Sequence, residues 1–410
     1  MRGRTARVAT GGALTVVAFC LVAANMRGAI TAVGPVLDEI GADTGMSTAV
    51  LGAITSVPLL TWALVSPFAH GVSRRFGLSA AVLGALGLLA AGALVRSAPG
   101  PVAFIWVGTV LIGVALALGN VLMPAAVKRD FPKAVPLMMG VYSALLGGFG
   151  ALASGIAVPL AHLPVDGGEA GWRFALLITA AVLLVPAVPA WAWAARRRRQ
   201  RADAVGPDAA ASVPDRRRRG AIWRDRVAWL VAGYMGVQAT TFYVLVTWLA
   251  TVSTSLGRSP AEAGVDVMTY QLASLIGSLG LPVVLRGRGA RVAPALLPAI
   301  GLIGIGGLLL SPSLLVLWVC ILGVFSGASL SMALTLMAQR ARTTDDATAL
   351  SGMAQAVGYL ITAVGPLAFG ALHAWEGGWT LPLLLVAAYM VAQAVIGVPA
   401  GRDRHVLEPR

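Results

Sequence analysis

Charge is scarce in this chain. Only 12% of its 410 residues are Asp, Glu, Lys or Arg, and just 17 are acidic. A soluble domain of ordinary composition carries roughly 25% charged residues, so a fully water-covered surface is excluded. Cysteine is nearly absent. Cys20 and Cys320 lie far apart inside apolar runs, which leaves no disulfide framework and no thiolate metal site. The four histidines, His70, His162, His373 and His405, have no partners at metal-ligand spacing. P-loop, H-E-x-x-H and G-x-S-x-G motifs are all missing, so an ATP-driven pump or an intramembrane hydrolase has nothing to work with. Neither a cofactor nor an enzymatic activity is expected.

What fills the chain is apolar. Hydrophobic residues make up 58% of it, with 49 Gly and 23 Pro, and the mean hydropathy is +0.82. Those glycines and prolines would break soluble helices. Membrane helices use them, because small residues let backbones approach and neighbours re-satisfy interrupted hydrogen bonds. Apolar runs long enough to cross a bilayer fall at 11–37, 47–69, 78–95, 102–127, 136–160, 174–195, 227–252, 263–285, 292–310, 314–338, 347–372 and 379–398. The expected fold is therefore an all-α membrane protein of twelve transmembrane helices. The first run is too long for the core of a secretory signal, since it continues past Ala29-Ile30 to Leu37.

Basic residues orient the spans. With the N-terminus in the cytoplasm, 27 Lys and Arg fall in inner segments. Three, Arg96, Arg173 and Arg258, fall in outer loops, and Arg27 lies within a span. Both termini are thus expected inside a plasma membrane, and the formal charge of +14 is a topological signal. The central stretch 196–226 carries Arg196–Arg199 and Arg216–Arg219 with no interleaved aromatic residue. It reads as a linker resting on anionic lipid headgroups rather than as a nucleic-acid patch. Its middle, 204–214, is expected to be disordered.

The halves repeat at an offset of 212 residues: Ser47 falls on Ser259, Gly52 on Gly264, Arg74 on Arg286, Gly77 on Gly289, Lys128 on Arg340 and Gly140 on Gly352. Six spans per half give both halves the same orientation. The expected domains are 1–195 and 227–410, joined by the 196–226 linker.

Few residues within the spans carry chemistry. Arg27 is the sharpest. An Arg at the bilayer centre costs roughly 2.5–3.5 kcal/mol on insertion scales and must face a wet cavity or a partner. Asp38, on the same helical face, is about 16 Å away along the axis, too far to pair. Arg27 reads either as an anchor for an anionic, oxygen-bearing substrate or as a donor to a neighbouring helix's carbonyls. Asp266 shares a face with Tyr270 and Ser274. It reads either as a proton- or cation-coupling group or as a carboxylate stabilised by its helix N-terminus. Ser351, Gln355, Tyr359 and Thr362 form an inward stripe on the eleventh span, for substrate or for helix packing. Asn25, Asn120, Tyr142, Gln238, Tyr243 and Trp248 are further candidate substrate contacts. In the fifth span Gly147, Ala151 and Gly155 recur every four residues, a packing signature.

At these residues the sequence resembles the cyanate and 2-nitroimidazole transporter branch of the major facilitator superfamily. The first span reads Asn25-Met26-Arg27-Gly28-Ala29-Ile30-Thr31-Ala32-Val33-Gly34-Pro35, close to N-x-R-x-A-I-T-x-V-G-P. The fourth reads Gly119-Asn120-Val121-Leu122-Met123-Pro124, and the eleventh Ser351-Gly352-Met353-Ala354-Gln355-Ala356-Val357-Gly358-Tyr359. The likeness runs over nearly all the chain except its termini and central loop. Two departures stand out. Met26-Arg27-Gly28 replaces the branch's Leu-Arg-Pro. In the superfamily's G-x-x-x-D-R-x-G-R-[RK] turn only Arg75 and Gly77 match, with His70 and Arg74 in place of the Gly and the acid. The resemblance implies gating turns at Arg74, Arg75, Gly77 and Arg286. It also implies a small oxygen-rich or anionic substrate bound between halves that rock about it. The expectation is a monomeric secondary carrier, with Arg27 as the main contact and polar groups of the seventh and eleventh spans completing the pocket. A membrane receptor would need a signalling domain, for which the linker and tail are too short. A channel is the other rival.

Overall fold

Residues 2–46, 48–165, 168–205, 221–286 and 289–408 are described by a computed structural model of the chain. Helices follow the apolar runs. In order they are α1 (Arg2–Ala24), α2 (Gly28–Thr31), α3 (Leu37–Thr44), α4 (Thr48–Phe76), α5 (Leu78–Ser97), α6 (Ala103–Asp130), α7 (Val135–Ala161), α8 (Gly171–Ala181), α9 (Leu184–Val205), α10 (Arg226–Ser255), α11 (Pro260–Val284), α12 (Gly289–Leu310), α13 (Leu315–Gln339), α14 (Thr344–Glu376) and α15 (Thr380–Ala400). Among the described residues, eleven helical stretches are long and apolar enough to cross a membrane. Helix α4 occupies the place of the expected second span. Side chains in its first turns, and those of Asp38 and Ser47, lie outside the described residues.

Two expected spans are interrupted. The first breaks between α1 and α2, and the sixth is divided into α8 and α9. The central linker begins inside α9, which runs to Val205, so Ala204 and Val205 are helical. The remainder of the 204–214 stretch and the Arg216–Arg219 run lie outside the described residues.

The chain groups into two compact units. One comprises Met1–Thr61, Ala69–Met123 and Phe149–Gly220; the other comprises Trp62–Phe68, Pro124–Gly148 and Ala221–Arg410. In the first, helices α5 and α6 cross at glycines. A Cβ on Gly92 would lie 2.9 Å from Ile112 N, and one on Gly108 would run into the backbone of Arg96. An apolar cluster including Val33, Val36, Ile40, Ile105, Ala157, Trp172 and Leu176 packs nearby. Side chains then tie α3 to the first turn of α8. The Asp43 carboxylate accepts from Arg173 Nη1 at 2.5 Å and from Trp172 Nε1 at 3.2 Å. The Arg173 hydrogen bond holds its pKa below the usual carboxylate value.

His162 sits 2.8 Å from Glu169 and 3.3 Å from Glu39. The hydrogen bond to Glu169 and the charges of both carboxylates push its imidazole pKa up. A raised histidine pKa adds stability in full below the ordinary value of about 6.5, and that contribution is lost as pH rises through the raised value. The His162 ring should therefore titrate by NMR with a midpoint above that of a free histidine, and Glu169→Gln should bring it down. An unshifted midpoint in the parent protein would contradict the pairing.

The second unit is stitched by glycine at its tightest crossings. On α11 and α13, a Cβ on Gly277, Gly323 or Gly327 would run into the backbone carbonyl of Val324, Tyr270 or Ser274 respectively. On α7, Gly140 approaches Ser278 O, and Ser143 Oγ meets Ser278 Oγ at 2.9 Å. The small-residue face read on the fifth span is only partly used in this way, since nothing lies within 4 Å of a Cβ on Gly155. Side chains cap the helices of this unit: Asp225 accepts from Val227 N and Ala228 N, and capping boxes open α11 (Ser259–Glu262) and α14 (Thr343–Asp346). Arg340, read as a loop charge, is buried. It donates to the carbonyls of Ala400 and Gly401, closing the end of α15, and burial lowers its pKa.

Candidate functional site

The break in the first span is marked by both backbone and side-chain bonds. Asn25 and Met26 turn back on Val22 O and Ala23 O by i to i−3 bonds. The buried Asn25 amide donates to Leu21 O at 2.7 Å. Arg27 caps α2 with φ −138°. Gly28 stands where the branch carries Pro, and the chain breaks there all the same. A Cβ on Gly28 would lie 3.1 Å from Thr179 O and 3.2 Å from Ala153 Cβ, so the glycine lets α2 pack closely on its neighbours. Thr31 Oγ1 then donates to Gly150 O at 2.7 Å.

Arg27 itself is half-buried. Its aliphatic stem passes over Gly150, where a Cβ would come within 3.2 Å of Arg27 Cγ. The buried Asn120 lies on α6 next to Gly119, which abuts Met26. Asn25 and Arg27 therefore flank the interruption, and Asn120 lies one residue from the α6 glycine that meets Met26. A guanidinium at a helix break, among backbone groups released from the ladder, suits a ligand with acceptor oxygens.

A second arginine escaped the sequence reading. Arg96, counted there as an outer-loop charge, is 1% exposed, and its Nη1 donates to Ala29 O at 2.7 Å. Its Nε and Nη2 are buried without a hydrogen-bond partner among the described residues. The signal was present in sequence only as an Arg one residue from the end of a helix.

In the second unit, α10 and α14 pack through Gly236 and Gly358, and Thr362 Oγ1 donates to Gly358 O. Gln238 is buried with its Oε1 unpartnered among the described residues. Gln355 Nε2 donates to Ser351 Oγ at 3.1 Å. Tyr359 lies 4.9 Å, ring to ring, from Trp62, a buried indole whose Nε1 has no partner among the described residues. Trp62 was also missed; its mark in sequence is a Trp at mid-span rather than at a membrane interface. Tyr142 is buried, and Tyr243 is half-buried edge-on to Phe242.

Trp248 is placed differently. Its indole donates to Pro366 O at 3.1 Å within an aromatic group with Phe369 and Trp379. Its polar handle is therefore spent on helix packing. Asp266 is 1% exposed and lies 2.7 Å from Arg258 Nε, an ion pair between an early turn of α11 and the turn before it. Of the gating residues, Gly77 has φ +83°, which only glycine adopts readily, and Arg74 precedes it half-buried. Arg75 is exposed over the Phe76 ring, and Arg286 is exposed with its carbonyl accepting from Gly289 N.

Apolar helices of spanning length that bury arginine, amides and many of their hydroxyls among themselves define a polytopic helical membrane protein. The sequence matches the model of the Major Facilitator Superfamily over residues 17–366. The chain belongs to that superfamily, with its fold, and is a transporter of it. It is 37% identical over 390 residues to the 2-nitroimidazole transporter of Escherichia coli strain K12, covering 94% of this chain and 95% of that one. It is 28% identical over 381 residues to the cyanate transport protein CynX of the same strain, covering 90% and 94%. The solved proton:xylose symporter XylE shares the fold with a TM-score of 0.70 at 14% identity, covering 96% of this chain and 95% of that one.

Proposed function

We propose that this transporter moves a small anionic or oxygen-rich solute, of the cyanate, nitroaromatic or small-carboxylate kind, across the plasma membrane by alternating access between its 1–195 and 227–410 halves. Both termini face the cytoplasm. The observation that carries the proposal is Arg27, half-buried at the break of an otherwise apolar helix. Its planar fork matches two acceptor oxygens. The names of the two relatives, one a nitroimidazole carrier and one a cyanate carrier, support the same substrate class. Asn25 and Asn120 serve as polar contacts beside Arg27; Gln238, Gln355, Tyr359 and Tyr142 are the candidate contacts that lie within the second unit. Asp266 is a coupling group if substrate entry separates it from Arg258. The protein works as a monomer, with its 196–226 stretch on anionic headgroups.

The test is a flux screen in proteoliposomes with labelled cyanate, 2-nitroimidazole, formate and benzoate, with and without a pH gradient. At least one of these is taken up saturably by the wild type and competes with the others. Uptake of none, alongside rapid uptake of neutral sugars, would overturn the substrate class.

A further inference from the structure

We propose that Arg96 is a positioning residue for substrate binding: by holding the Ala29 carbonyl it fixes the interrupted segment that aims Arg27. The inference rests on the reading of Arg27 given above. Val33 N turns to Ile30 O rather than to Ala29 O, which takes the Ala29 carbonyl out of the helical ladder. Arg96 Nη1 takes it up at 2.7 Å. Ala29 is two residues beyond Arg27, so the bond acts on the same turn that carries the candidate anchor.

The donor comes from a firm base. Arg96 lies in the last turn of α5, where its backbone is pressed against Gly108 of α6 so closely that a Cβ there has no room. A purely topological arginine at a helix end would extend its charged head toward water. This one is 1% exposed and leaves Nε and Nη2 without hydrogen-bond partners among the described residues. A Met or Leu would fill the same volume without the desolvation cost of a guanidinium. What the arginine adds is the charge-assisted bond to a carbonyl that the break has orphaned. Thr31 Oγ1 on Gly150 O, two residues further on, pins the other side of the turn.

Initial rates are measured against concentration in proteoliposomes with labelled 2-nitroimidazole and labelled cyanate, using whichever the wild type carries faster. Arg96→Met should raise KM about tenfold with Vmax within about twofold, and Arg96→Lys, keeping charge and a single donor, about threefold. In an Arg27→Lys background Arg96→Met should add less than about twofold, because it acts through the residue already altered. An unchanged KM in Arg96→Met, or its full effect repeated on top of Arg27→Lys, overturns the inference. Should Arg96→Met fail to accumulate in the membrane, Arg96→Lys decides alone. A raised KM at unchanged Vmax supports the role, and a wild-type KM rejects it. Wild-type kinetics in Arg27→Ala, or carriage of neither solute by the wild type, would instead remove the reading of Arg27 on which the inference stands.

Discussion

Arg27→Ala should reduce transport at least about 100-fold while the protein still inserts and purifies as the wild type does. Removing one partner of a desolvated, hydrogen-bonded charge pair typically costs about 2–5 kcal/mol, and 100-fold is about 2.7 kcal/mol. The loss should fall on transport alone. Arginine in a membrane helix is a burden on insertion, so deleting it from the broken first span should leave apparent melting unchanged or higher. Arg27→Lys keeps the charge but loses the planar fork, and should retain a weak flux, about tenfold below the wild type. Uptake in proteoliposomes, normalised to inserted protein, checks all three points. Wild-type flux from Arg27→Ala would remove this residue from the site.

The largest effect on stability is expected at Gly327. A side chain there would run into Ser274 O, with Ser274 C at 2.5 Å and Ser274 Cα at 2.8 Å. These are backbone atoms, so no rotamer change relieves the clash and α13 must move off α11. Close backbone approach is what holds membrane helices together in the absence of a hydrophobic drive between them. Overpacking of a well-packed core costs typically about 1–3 kcal/mol. A clash with backbone at the centre of a crossing that also holds Gly277 and Gly323 belongs at or beyond the top of that range. Gly327→Leu should therefore aggregate well below the wild-type melting temperature in detergent, or fail to accumulate. Gly306→Leu on α12, where nothing lies within 4 Å of the added Cβ, should melt as the wild type does. Equal melting of the two variants would show that the crossing is looser than described.

Local pattern carried the reading of this chain a long way, and tertiary partners set its limit. Apolar runs bounded by charge located each of the eleven spanning stretches found among the described residues, because a helix in lipid must satisfy its own backbone and be apolar over a fixed length. The resemblance in the first span pointed at Asn25 and Arg27, and both lie at the break between α1 and α2. The break itself was not legible, since it depends on Asn25 bonding to Leu21 O and on Gly28 fitting against Thr179 O. Arg96 was hidden for the same reason. From sequence it is one residue from a helix end; its burial follows from a carbonyl 67 residues away. Glycine periodicity on the fifth span looked like the packing face, yet the closest crossing among the described residues lies between α11 and α13, where Gly323 and Gly327 carry the same four-residue spacing. The spacing of small residues says that an approach is allowed, and only the facing helix says where it happens. Asp266 and Arg258 are eight residues apart and were read separately. The turn between them brings the carboxylate to 2.7 Å from Arg258 Nε.

Counterflow discriminates most directly among the mechanisms open to such a bundle. Proteoliposomes preloaded with unlabelled 2-nitroimidazole or cyanate are diluted into a trace of the labelled solute, with no pH gradient. A carrier whose single site is exposed to one side at a time should accumulate label transiently above its equilibrium level, and Arg27→Ala vesicles should show no overshoot. Label that only rises to equilibrium at a rate indifferent to the preloaded solute would mean an open pore, and alternating access would have to be abandoned.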